Sequence, residues 1–164
     1  MDRSKISISY PRLIVLGFIA GFLATVTFHQ LVLGGLWLAG IAPSGPYAMT
    51  PRPPLGIPAV ISLAFWGGVW GSLFALIQVA FPRRGNYWWT AFLFGAIIPS
   101  LVVFFVVLPL RGLPIGGGWQ PPLLITAFLI NGVWGVGTGL ILRLLAGIPH
   151  CGINCGLPVG MEPT

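Results

Sequence analysis

Carboxylates are all but missing from this chain: between Asp2 and Glu162 there is no Asp and no Glu. From Leu13 to Leu142 the only charged residues are Arg52, Arg83, Arg84 and Arg111. With 6% charged residues and a mean hydropathy of +0.96, the composition excludes a soluble domain, whose charged fraction is about 25%. The lack of acids also removes the paired carboxylates of glycoside hydrolysis and the acid of a Ser-His-acid arrangement. Gly116-Gly117-Gly118 matches no phosphate-cradling loop. The chain therefore reads as a non-enzyme with no cofactor. The net charge of +6 is scattered singly between apolar runs rather than gathered on one face, which excludes a nucleic-acid partner.

What is present is hydrocarbon. Four apolar stretches reach the length of about 20 residues that a spanning helix needs: 13–41, 57–81, 88–110 and 122–146. Proline and arginine punctuate them, with Pro43, Pro46, Pro51, Pro53 and Pro54 after the first, Pro82-Arg83-Arg84-Gly85 after the second, and Arg111-Gly112 through Pro121-Pro122 after the third. The expectation is an all-α polytopic membrane protein: a flank over 1–12, a four-helix membrane domain over 13–146, and a flexible tail over 147–164. The first run exceeds the roughly 7–15-residue core of a signal peptide, so it reads as an uncleaved anchor.

Orientation follows from the basic residues. Arg3, Lys5, Arg12, Arg83, Arg84 and Arg143 fall on one side and Arg52 and Arg111 on the other, which places both termini in the cytoplasm. Trp88 and Trp89 then anchor the inner interface, and Trp37 and Trp119 the outer one.

Two patterns mark how the helices associate. Gly68-Val69-Trp70-Gly71 recurs as Gly132-Val133-Trp134-Gly135, each after a Pro-Pro-Leu lead-in. Helices two and four run the same way, so the recurrence fits a parallel duplication of a helical hairpin. Small residues also recur four apart: Gly17 and Gly21, Gly67 and Gly71, Ala91 and Gly95, Gly135 and Gly139. Lipid is as apolar as Leu, so helices associate by close packing, and such seams let backbones approach. They either close the four helices on themselves or join the chain to copies of itself or to a larger membrane complex.

The remaining polar material converges at mid-depth. His29 and Gln30 lie in helix one, Trp66 and Trp70 in helix two, Ser100 beside Pro99 in helix three, and Asn131 and Trp134 in helix four. Polar residues in lipid face the bundle interior, so these side chains are candidates for one shared pocket. The ordinary alternative is interhelical hydrogen bonding of about 0.6 kcal/mol per contact. With no intramembrane acid, a solute passing here would be an anion or neutral rather than a coupled cation. Between helices one and two, 42–56 forms a stiff, proline-rich strap suited to cover the outer mouth. In the tail, His150, Cys151 and Cys155 have ligand chemistry suited to zinc or copper(I), but three ligands at this spacing fall short of a closed site, so no metal is assigned.

The motifs Thr27-Phe28-His29-Gln30, Pro53-Pro54-Leu55-Gly56-Ile57-Pro58, the run from Ser62 to Gly71, and Asn131-Gly132-Val133-Trp134-Gly135 together resemble a family of small, uncharacterised four-helix bacterial inner-membrane proteins. The resemblance spans about 14–142 and leaves the Cys-containing tail outside. It implies a bacterial inner-membrane setting and transfers no catalytic residue. Two functions stand: a non-enzymatic accessory or scaffold subunit, and a small channel or carrier for an anion or neutral solute.

Overall fold

In lipid every backbone N–H and C=O must find its partner within the chain, so apolar runs of this length resolve into helices. The computed structural model, which describes residues 9–81 and 86–147, contains four: α1 (Tyr10–Leu38), α2 (Ala59–Ala80), α3 (Asn86–Leu110) and α4 (Pro121–Leu145). All four are long and apolar enough to cross a membrane. The described residues are all-α, 79% helical, and the chain is a multi-pass membrane protein. Arg3, Lys5, Arg83, Arg84, His150, Cys151 and Cys155 lie outside the described residues.

Helix ends follow local chemistry rather than hydropathy. α1 starts at Tyr10, ahead of its apolar run, because Ser9 is extended and Pro11 suits the first turn. It stops at Leu38, short of Ile41, because Gly40 takes a left-handed φ of 73°. Gly40 N–H then donates to the Trp37 carbonyl and Ile41 N–H to that of Leu36, a Schellman cap. α3 ends by the same device: Gly112 has φ 73°, Gly112 N–H reaches the Pro109 carbonyl, and Leu113 N–H reaches that of Leu108. α4 opens on Pro121-Pro122, where missing N–H groups cost nothing.

The seams decide which helices touch. α1 packs antiparallel on α2, α3 on α4, and α1 on α4, giving a lateral order of α2, α1, α4, α3. A Cβ at Gly17 would fall 2.6 Å from the Gly71 carbonyl oxygen, and one at Gly68 would fall 2.7 Å from the Phe18 ring. In the second hairpin a Cβ at Gly135 would strike the Ala91 carbonyl, and one at Gly132 would fall 2.5 Å from the Phe92 ring. The two hairpins thus build their contacts from corresponding residues, Phe18 with Gly68 and Phe92 with Gly132. α2 and α3 meet at the end of the bundle nearest the termini, where Phe94 packs edge-on against Phe74 with centroids 5.5 Å apart.

Only about a third of each span is buried by the chain's own packing. Leu31, Leu73, Leu93 and Leu129 point outward, as lipid-facing side chains do. At the opposite end, the strap between α1 and α2 folds into a two-residue hairpin, β1 (Pro51–Arg52) against β2 (Ile57–Pro58), closed by Gly56 at φ 68°.

Candidate functional site

A π-helical turn skips a residue and disturbs the regular ladder of backbone bonds. α1 contains one over Thr25–His29 and α3 one over Val103–Val107. The turn in α1 holds the first polar group. Gln30 is 2% and His29 6% exposed. Gln30 Nε2 lies 3.3 Å from His29 Nδ1, which accepts when the ring proton sits on Nε2. Gln30 Oε1 in turn accepts the Tyr47 backbone N–H at 2.8 Å. Tyr47 also donates its hydroxyl to the Val26 carbonyl at 3.0 Å, inside the π turn. Tyr47 takes a left-handed φ of 54°, which a non-glycine residue holds only where its surroundings impose it. Gln30 and the Val26 carbonyl therefore fasten the strap to α1, with His29 bonded to Gln30.

The second group joins α3 to α4. Asn131 Nδ2 donates to Ser100 Oγ at 2.9 Å, and Ser100 Oγ donates to the Ala127 carbonyl at 3.4 Å. Ser100 is fully buried behind Pro99. Among the described residues no hydrogen bond joins this pair to His29 and Gln30. The structure brings together Ser100 with Asn131 and His29 with Gln30, as two groups rather than one.

The tryptophans divide further. Trp134, 3% exposed, donates its indole N–H to the Gly21 carbonyl at 3.0 Å, and Thr25 Oγ1 donates to the same oxygen at 2.8 Å. One carbonyl of α1 thereby holds α4 in place. Nearby, a Cβ at Gly137 would fall 2.6 Å from the Phe28 ring, so α1 and α4 cross closely. Trp70, the counterpart of Trp134 in the repeat, is half-buried, and Trp66 turns outward at 57% exposure. Neither stands where Trp134 stands.

The small residues lie at the contacts. Gly21 faces Gly67 and Gly71, a Cβ at Gly67 would collide with Thr25 Oγ1, and Gly95 faces Asn131 and Gly135. Ala91 is fully buried. Gly139 departs from this pairing: a Cβ there would meet Tyr87 Oη at 3.0 Å and Phe74 at 3.3 Å.

That contact belongs to a cluster the residue pattern did not reveal. Tyr87, 5% exposed, donates its hydroxyl to Gln78 Oε1 at 2.8 Å. The Arg143 guanidinium carbon sits 3.9 Å above the Tyr87 ring and 5.0 Å from that of Trp88. Its only signals were Arg143, read as one of the basic residues that set orientation, and Trp88, read as an interface anchor. Among the described residues Gln78 Nε2, Thr126 Oγ1 and Thr138 Oγ1 are buried without a hydrogen-bond partner. Also among the described residues, no three His, Cys, Asp or Glu side chains gather to hold a metal. No family model, curated protein or solved structure matches this chain.

Proposed function

We propose that this chain is a non-enzymatic accessory or scaffold subunit of a bacterial inner membrane, with both termini cytoplasmic, which packs against copies of itself or a larger membrane complex. One observation carries the reading: the polar side chains at mid-depth are engaged in binding elements of the fold to one another. Gln30 holds the strap, Asn131 and Ser100 hold α3 to α4, and Trp134 holds α4 to α1. A solute pathway needs polar groups that face a passing ligand, whereas these are engaged with side chains and backbone of the chain itself. Trp66 supports the docking half of the reading. A large indole with a polar N–H favours the membrane interface over hydrocarbon, yet this one lies exposed within α2, on a face that a partner helix would cover.

Purification of the chain from native membranes in mild detergent, followed by intact-complex mass spectrometry, tests this. A reproducible homo-oligomer or larger complex, weakened by Trp66→Ala, is the expected result. A monomer that purifies alone and carries an anion or neutral solute across proteoliposomes overturns it in favour of the channel.

A further inference from the structure

We propose that the terminal end of the bundle holds an anionic phospholipid, its phosphate on Arg143 and an acyl chain in the groove between α3 and α4. The groove is lined by Trp88, Trp89, Phe92 and Val136 and is an open surface depression of about 320 Å³. Its walls are three aromatic rings and a valine, so its natural content is a hydrocarbon chain. Trp89 is 67% exposed, and the groove belongs to the outer surface of the spans, which the bilayer bathes.

Arg143 supplies the other half. It lies seven residues after Val136 on α4, two turns nearer the helix end and on the same face. Its guanidinium stacks over Tyr87 and reaches Trp88, the residue that also lines the groove. The guanidinium carbon lies over the Tyr87 ring, and a guanidinium carries five N–H donors in the fork that matches phosphate oxygens, more than the phenol beside it can use. Tyr87 is itself fixed by its bond to Gln78, so the cation is held in place before any lipid arrives. Among the described residues no carboxylate competes for it, since the two acids of the chain, Asp2 and Glu162, lie outside them.

Charge selects the headgroup. Arg12 opens α1 at this same end, and the connection between α2 and α3 carries Arg83 and Arg84 in the sequence. A zwitterionic phosphatidylcholine brings its own cation against the Arg143 guanidinium, whereas phosphatidylglycerol brings net negative charge for Arg143 to pair with. Arg143 thus carries the preference, and the other arginines of this end add only a general attraction. The fit is therefore to an anionic phospholipid, seated headgroup toward Arg143.

The test is retention of lipid by the purified full chain, read by intact-complex mass spectrometry in mixed micelles of phosphatidylglycerol and phosphatidylcholine. The parent should retain phosphatidylglycerol about tenfold over phosphatidylcholine. Arg143→Gln should bring the ratio close to parity with the melting profile unchanged, and Arg111→Gln at the opposite end should leave the ratio alone. Val136→Trp, which fills the groove, should lower retention of both lipids. Parity in the parent, or an undiminished ratio in Arg143→Gln, overturns the proposal, the latter because it assigns the preference to the other arginines. Should Arg143→Gln fail to fold, Arg12→Gln and the double variant Arg83→Gln with Arg84→Gln decide instead: most of the preference should survive in both, and its loss in either overturns the proposal.

Discussion

Whether two polar residues in a membrane form one site or two depends on which side chains meet. His29 with Gln30 and Ser100 with Asn131 meet within each pair and stay separate between pairs. Double-mutant cycles measure that division. Alanine at Ser100 and Asn131, singly and together, should show a coupling of about 0.6 kcal/mol, the average for a hydrogen bond between membrane helices. The cycle between His29 and Asn131 should show none. Equal couplings in unfolding experiments would mean that one connected network runs across the bundle. The first pair was legible as polar residues at equal depth. The strap's grip on Gln30 was not, because the donor is a backbone N–H, which every residue but proline carries.

Among the elements, the two seams explain why α1 pairs with α2 and α3 with α4. Antiparallel helices in lipid gain from van der Waals contact as well as from interhelical hydrogen bonds, and a glycine facing a carbonyl shortens the approach. Replacing Gly71 or Gly135 with Leu should force the seam open and cost several kcal/mol, on the order of an overpacked core, because each faces backbone that cannot step aside. Gly35→Leu is the control: a Cβ there meets nothing within 4 Å, and Leu favours helix over Gly by about 1 kcal/mol. Thermal unfolding in detergent should therefore show a marked loss for the first two and none for the third. In both hairpins glycines spaced four apart in the sequence lie where a Cβ would meet the neighbouring helix. That spacing did not assign Gly139, whose neighbours are Tyr87 and Phe74, because spacing identifies a face and not what stands opposite.

For the whole molecule, the hairpins are alike in their inner contacts and unlike in how they join. Trp134 closes α4 onto α1, while Trp70, at the matching place, is half-buried on α2. α2 and α3 instead meet through Phe74, Phe81 and Phe94 at the terminal end. A duplicated hairpin can keep its internal seam and still be asymmetric, because only one pair of helices can occupy the middle of a four-helix row. The proposed orientation is tested on the same molecule. With Cys151 and Cys155 replaced by Ser, Ser44→Cys should react with an impermeant thiol reagent added to intact cells, and Asn86→Cys should react only after lysis. Both sites are exposed, so the opposite pattern would mean an inverted chain.

The sequence by itself determined the membrane setting and the four spans, though not that α1 runs Tyr10–Leu38 where the apolar run reads 13–41. Those properties are local: a run of apolar residues has nowhere else to satisfy its backbone, and Gly40 and Gly112 end their helices through φ angles that need no distant partner. Only the tertiary structure decided that Trp134 is buried while Trp66 faces outward, that His29 and Asn131 serve different contacts, and that Arg143 lies across Tyr87. In a soluble helix the apolar stripe shows which face turns inward. These helices are apolar all round, so hydropathy carries no such mark, and the inward face is chosen by shape, glycine against carbonyl and indole against the helix that receives it.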